Sequence, residues 1–222
     1  MPRTPALLRT LPFVAVIALA ACQPAPDKND NAPTGIAAKA MDEARKGLGE
    51  ASQELQKAQS EIDAARQKLA TENLTLNRNE NQNLPKAEIT PAGDLLIEGK
   101  SVATTPEQKE KVLAYRGAMI TVVGDGMAIG MEGAKVGIDA AASALKGVLA
   151  GQSGDEIGKQ VGAEAKTKMK PMVDQLCGRL PALLTAQQAL AASVPEFAPY
   201  ATMDQSDVDD CGDANGDGNW TF

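Results

Sequence analysis

Three oxygen-bearing side chains near the C-terminus, Asp213, Asn215 and Asp217, alternate along the chain and are followed by Gly218. This spacing matches positions 1, 3, 5 and 6 of an EF-hand-like calcium loop, where alternating oxygens wrap a hard cation. The sequence printed here reaches Phe222 before the bidentate carboxylate of position 12 and has no following helix, so only weak calcium binding is expected. The alternative is an acidic disordered tail, and no other cofactor is expected. A second motif, Gly124-Asp125-Gly126 with Gly130 behind Ile120-Thr121-Val122-Val123, has the outline of a dinucleotide turn. That fingerprint needs a βαβ unit and an acidic residue about 20 positions on, whereas the residues before it pattern as helix and no parallel strand follows. The sequence contains no histidine, which removes imidazole acid–base catalysis and the commonest transition-metal ligand. It also lacks a GxSxG elbow, a Walker loop and zinc-ligand spacing. Carboxylates are plentiful, but no spacing singles out a pair. A noncatalytic protein is expected.

The most specific chemistry lies at the other end. Arg3 and Arg9 form a positive region before an apolar run from Leu11 to Ala21, which is too short to span a bilayer core as a helix, since that takes about 20 residues. The run ends in Leu19-Ala20-Ala21-Cys22, which resembles the lipobox of bacterial lipoproteins, where the cysteine is diacylated and becomes the first mature residue. The alternative is an ordinary cleavage site that happens to precede a cysteine. Residues 1–21 are therefore expected to be a signal peptide, and the mature protein to be anchored by lipid at Cys22. Gln23, where the lipoprotein pattern needs Asp for inner-membrane retention, points to the outer membrane and its periplasmic face. Removing Arg3 and Arg9 from the 22 basic residues, against 29 acidic ones, leaves a mature net charge of −9. Such a chain repels phosphate backbones, so nucleic acid is excluded as an expected partner. Cys177 and Cys211 remain as an even pair in a disulfide-permissive compartment and are expected to bond.

These groups must be carried by a chain whose composition changes in steps. Residues 22–35 are polar and proline-rich and read as a tether. Over 36–73 a heptad places Met41, Leu48, Leu55, Ile62 and Leu69 at one seam position and Ala44, Ala51, Ala58 and Ala65 at the other. Such a helix is either a coiled-coil stalk or an amphipathic helix lying on its own domain. The polar stretch that follows is a boundary with a short strand at Leu74–Leu76. A β-meander over 86–104 is expected from Ile89, Leu95 and Ile97, with turns at Pro91-Ala92-Gly93-Asp94 and at Gly99-Lys100. Thr105-Pro106-Glu107-Gln108 has the form of a capping box and opens a helix with Val112, Tyr115 and Met119 on one face.

The segments "LPKAEITPAGDLLIEGKSVATTPEQKEKVLAYR" and "QLCGRLPALLTAQQAL" resemble the YggN-like proteins, an uncharacterised family of gammaproteobacterial envelope proteins with a domain of unknown function. The resemblance covers roughly residues 74–200. Its distinctive piece is the Ile-Thr-Pro-x-Gly hairpin leading to Gly99-Lys100, Gln108 and Tyr115. These are fold-forming residues, so the resemblance implies an exported envelope protein and no reaction. The domain is expected over 74–203, with helices spanning 106–194, and 204–222 is expected to be an acidic tail.

At 100° per residue, 121–151 forms one helix with three stripes. Asp125, Glu132, Asp139 and Lys146 make a charged stripe, with Lys135 beside it. Gly126, Gly130, Gly133, Gly137, Ala140, Ala144, Gly147 and Gly151 make a tiny one. Met127, Met131, Ala134, Ile138, Ala141, Leu145 and Val148 make an apolar one. Six glycines cost such a helix several kcal/mol relative to alanine, at about 0.8–1 kcal/mol each, so the tiny stripe is expected to receive a closely packed partner. That partner is a helix of the same bundle, or else a second copy or lipid. Ser153-Gly154-Asp155-Glu156 can cap a further helix, which Pro171 should end or kink. Pro181 can open the last helix, carrying Leu183, Leu184 and Leu190, and Phe197, Tyr200 and Met203 should return over the bundle. The expected class is mainly α with a small β-meander: a long N-terminal heptad helix and a helical bundle containing the glycine-rich helix. The expected function is a noncatalytic outer-membrane lipoprotein that scaffolds or binds an envelope protein or itself. The alternative is a membrane-active protein that uses the glycine-rich amphipathic helix 117–151.

Overall fold

The computed structural model describes residues 35–76 and 84–212. The architecture is mainly helical with a small antiparallel sheet, as expected. Helix α1 runs over Ile36–Thr71, and the chain then forms strands β1 (Leu74–Thr75), β2 (Ala87–Ile89), β3 (Leu95–Ile97) and β4 (Lys100–Ser101). These pair in sequence order as a four-stranded meander, with Leu74 opposite Ile89 and Ile89 opposite Leu95. β1 thus joins the sheet from within the expected boundary segment, because Leu74 is buried beside Ile89. The second hairpin turns at Glu98-Gly99, one residue earlier than the sequence suggested. Both residues have positive φ, 50° and 75°, as a two-residue turn that matches strand twist requires, and Lys100 is already in β4.

Helix α2, Pro106–Leu149, spans 44 residues, or roughly 66 Å at 1.5 Å per residue. The capping box forms: the Gln108 amide donates to Thr105 Oγ1 at 3.3 Å, and Thr105 N donates to Gln108 Oε1 at 2.8 Å. The helix starting near 106 and the three-striped helix are one element. Gly124-Asp125-Gly126 lies inside it, so there is no strand-to-helix turn for a dinucleotide. α3, Gly154–Cys177, begins at the expected Ser153–Glu156 box and runs unbroken past Pro171. Half-buried Met169, Met172 and Val173 and buried Leu176 continue its packed face across the proline, and that packing outweighs the lost backbone hydrogen bond. α4, Leu180–Ser193, has Pro181 in its first turn. A 3-10 turn at Ala198–Tyr200 and a short helix α5, Gln205–Asp209, complete the described chain. α5 occupies the start of the expected tail and is capped by Asp204, whose Oδ1 accepts from Ser206 N at 2.8 Å.

The main core lies at one end of the molecule. Ile89 and Leu95 of the sheet, Val112 and Tyr115 of α2, Leu190 of α4, and Val194 and Phe197 of the return form one buried cluster. Tyr115 and Phe197 meet edge to face at 5.0 Å, and burial pushes the Tyr115 phenol up to about 12. We call this end the head. The rest of α2 projects from it with α1 and α3 alongside, forming an arm. Buried apolar side chains along the arm are sparser: Val136, Ile157 and Leu176.

Candidate functional site

Arg116 holds the arm to the head. It is 3% exposed, and among the described residues it pairs with no carboxylate. Instead Nη2 donates to the carbonyls of Leu69 at 2.7 Å, Glu72 at 2.8 Å and Ala70 at 3.3 Å, while Nη1 donates to Ile89 O at 3.1 Å. The three acceptors at Leu69–Glu72 are end carbonyls of α1, which lack intrahelical partners and carry the negative end of the helix dipole. Burial lowers the Arg116 pKa. Sequence reading passed over this residue because its acceptors are backbone atoms, which no side-chain spacing announces.

Arg116 and the neighbouring Arg66, whose Nη2 donates to Gly124 O at 3.4 Å, set α1 antiparallel to α2. The heptad seam is therefore turned toward the chain's own α2: Met41, Leu48, Leu55 and Ile62 are half-buried, and Leu69 packs on the core. α3 also runs antiparallel to α2, held by polar contacts at the charged stripe. Lys168 bridges Asp139 at 3.2 Å. Asp125 accepts from Gln175 at 3.3 Å through Oδ1. Its Oδ2 makes a 3.6 Å ion pair with Arg179 and no hydrogen bond. Between the three helices lies a half-open cleft of about 330 Å³, floored by Leu55, Ile62, Ala128, Met131 and Met172 and rimmed by Asp63, Arg66, Glu132 and Lys135. The rim charges pair internally, Arg66 with Asp63 at 3.7 Å and Lys135 with Glu132 at 3.8 Å, so the cleft presents no excess charge of either sign.

The expectation that the tiny stripe receives a helix of the same bundle needs correcting. A Cβ placed on Gly126, Gly130 or Gly137 would meet nothing within 4 Å, and one on Gly133 would only touch Met169 Cε at 3.7 Å. Close approach occurs at Gly147, where a Cβ would lie 2.7 Å from Ile157 Cγ1. The physical reason is angular. α3 packs through Val136, Asp139, Ala140 and Gly147, between the charged and tiny stripes, and α1 packs on the far side of the charged stripe. The opposite side of α2, with Gly130, Ala134, Gly137, Ala141 and Val148, is exposed. Val136, buried against α3, fell on none of the three stripes. At the tip, Val148 and Leu149 are 60% and 50% exposed.

The Cys177–Cys211 disulfide is present, with Cα atoms 5.5 Å apart. It ties the end of α3 to Cys211, just past α5, and so fastens the return that leads there. The buried Gln187 reinforces that return: its Nε2 donates to Met203 O at 2.7 Å and its Oε1 accepts from Met203 N at 3.2 Å. Cys22 and the calcium candidates Asp213, Asn215 and Asp217 lie outside the described residues. Among the described residues no cluster of three or more metal-ligating acids or cysteines occurs. Over part of its length α2 is apolar enough to cross a membrane, judged by length and composition. No family model matches the sequence, and comparison with curated proteins and with solved structures finds no match to this chain.

Proposed function

We propose that this chain is a noncatalytic lipoprotein of the bacterial outer membrane, of the YggN-like kind, that faces the periplasm and acts as a scaffold or binding protein. The lipobox at Leu19–Cys22 carries this reading, since its lipid chemistry requires a cysteine at that place after an apolar run. The Cys177–Cys211 disulfide supports it, because such bonds persist in oxidising compartments. The exposed side of α2 is the contact surface: a helix face of glycine and alanine lets another backbone approach closely, and its own bundle leaves it open. The partner is a second copy of the chain or another envelope protein. Fatty-acid labelling and membrane fractionation of wild type and Cys22→Ser test the anchor. An unchanged mass and unchanged fractionation of the variant would sink it.

A second reading is favoured by one observation, the apolar composition of α2 combined with its low burial in the bundle. In that reading the glycine-rich helix engages the bilayer directly. Against it stand Asp125, Glu132 and Asp139 and the absence of aromatic anchors on the helix beyond Tyr115, whereas interfacial helices carry cations and bulky apolar groups. Co-sedimentation of unlipidated 23–222 with bacterial-lipid vesicles separates the two, because only the second reading expects binding without acyl chains.

A further inference from the structure

We infer that the α2–α3 hairpin tip, Val148-Leu149, is a second membrane contact that rests on the same lipid surface as the acyl anchor and stands the arm upright, with the head held away from the bilayer. The inference rests on the lipoprotein reading above, and it comes from where three ends of the molecule fall.

α1 and α2 are antiparallel, and their register is fixed at two places. Arg116 meets the C-terminal carbonyls of α1, and Leu55 shares the cleft with Met131 and Lys135. From that level, at 1.5 Å per residue, the start of α1 at Ile36 lies about 28 Å further on and Leu149 about 24 Å further on, in the same direction. The residue that leads back to Cys22 and the hairpin tip therefore sit at the same end. The buried core of the head lies at the opposite end, about 55 Å away along α2 from Leu149 to Val112.

The tip is also where apolar side chains are left uncovered. Among the described residues the exposed large hydrophobics are Val148, Leu149 and Leu113. The first two are adjacent, while Leu113, at 41%, lies against the Gly93 turn in the head. The surroundings of the tip are of mixed charge, with Lys146 on α2, Lys39 on α1, and Asp155 and Glu156 in the first turn of α3. Glu156 stays ionised, because hydrogen bonds from Ser153 hold its pKa down, but Lys39 and Lys146 interrupt the acidic surface that would repel anionic lipid. The 12 residues between Cys22 and Gly35 bridge at most about 45 Å, a leash too long to impose an orientation alone. A second contact of two apolar side chains is too weak to bind a membrane unaided, but it is effective once acylation has placed the tip beside the surface.

The test uses the full lipidated chain in phosphatidylethanolamine–phosphatidylglycerol vesicles. Trp220→Phe removes the single tryptophan of the sequence, and Leu149→Trp or Leu113→Trp supplies a reporter at either end. Spin-labelled lipids with the label near the headgroup should quench most of the Leu149→Trp emission and leave that of Leu113→Trp unchanged. Negligible quenching at both positions, in protein that floats with the vesicles, overturns the tip contact while the anchor stands. If the protein fails to float, with the same result for Cys22→Ser, the anchor reading falls and the tip contact falls with it. Leu149→Trp quenching that persists in Val148→Asp at wild-type strength also overturns the proposal, because a charge beside the reporter should lift it from the lipid.

Discussion

Arg116 shows how one side chain can define the layout of a molecule. Its guanidinium replaces the missing amide donors at the end of α1 and also reaches Ile89 of the sheet, so it joins helix, sheet and α2 at one point. Arg116→Leu leaves these buried carbonyls without a donor and should lower stability by about 3 kcal/mol. Chemical denaturation of the two proteins checks this, and a difference under about 1 kcal/mol would mean that water replaces the donor. Arg116→Lys should recover only part of the loss, because a single ammonium lacks the planar fork that reaches carbonyls on both sides. A second residue-scale feature is acid-sensitive. Lys109 donates to Asp94 at 2.8 Å, and this hydrogen bond, helped by the Lys109 charge and by Thr90, holds the Asp94 carboxyl below its usual range against the opposing effect of burial. Ser206 does the same for Asp204. A carboxyl whose folded pKa is depressed contributes stability above its unfolded value of about 3.9, and loses that contribution as pH falls through the folded value. Melting temperature should therefore drop below about pH 4, and the drop should be shallower in Asp94→Asn, which has already lost its share at neutral pH.

At the scale of elements, the glycines of α2 fall into two physical classes that the sequence presents as one. Gly130 and Gly137 face open space, whereas Gly147 lies under Ile157 and Gln152. Gly130→Ala and Gly137→Ala should each raise stability by up to about 1 kcal/mol through helix propensity. Gly147→Ala should lower it by about 1 kcal/mol, because the overpacked Ile157 must move. Thermal melts of the three variants decide the matter, and equal effects would mean that α3 does not pack where it is described. If the open glycines accommodate a partner, the stabilised variants should also lose periplasmic crosslinks, a readout that propensity does not move. Periodicity made much of this legible. The heptad of α1, both capping boxes and the Pro181 helix follow from local rules that burial does not overrule. What remained hidden depends on which side of a helix its neighbours choose. Each stripe of α2 is a plausible packing face, and only the positions of α1 and α3 reveal that the groove falls at the charged stripe and that Val136 is buried. Pro171 was misleading because tertiary contacts on both sides of it stabilise more than one lost backbone bond destabilises. Of the candidate site only the paired cysteines were legible, because two cysteines left over in an oxidising compartment have a single pairing. The exposed tip and the Arg116 clasp emerge from three-dimensional neighbours.

On the scale of the whole molecule, burial is unequally divided along a single helix, and this sets how the protein should open. The first turns of α2 carry Val112 and Tyr115 inside the main cluster, while its distal half makes a long contact with α3 in which, of its own residues, only Val136 and Gly147 are buried. Local stability follows buried apolar contact, so amides in a dense core exchange only through global unfolding, whereas those in a sparse region exchange through smaller openings. Native-state hydrogen exchange should accordingly give the highest protection around residues 112–122 and in α4. Lower, mutually similar protection is expected over 136–149 and the first half of α3, which would separate together as one hairpin. The disulfide sharpens the contrast because it closes a 34-residue separation between the end of α3 and the return. In the chain-entropy model such a loop is worth about 3–4 kcal/mol. Cys177→Ser/Cys211→Ser should then lower protection in the head and return by that amount, while the arm tip, already opening at lower cost, exchanges at its former rate. Uniform loss of protection along α2 would instead mean that head and arm unfold as one unit, and that the long helix transmits every change in the core out to the tip.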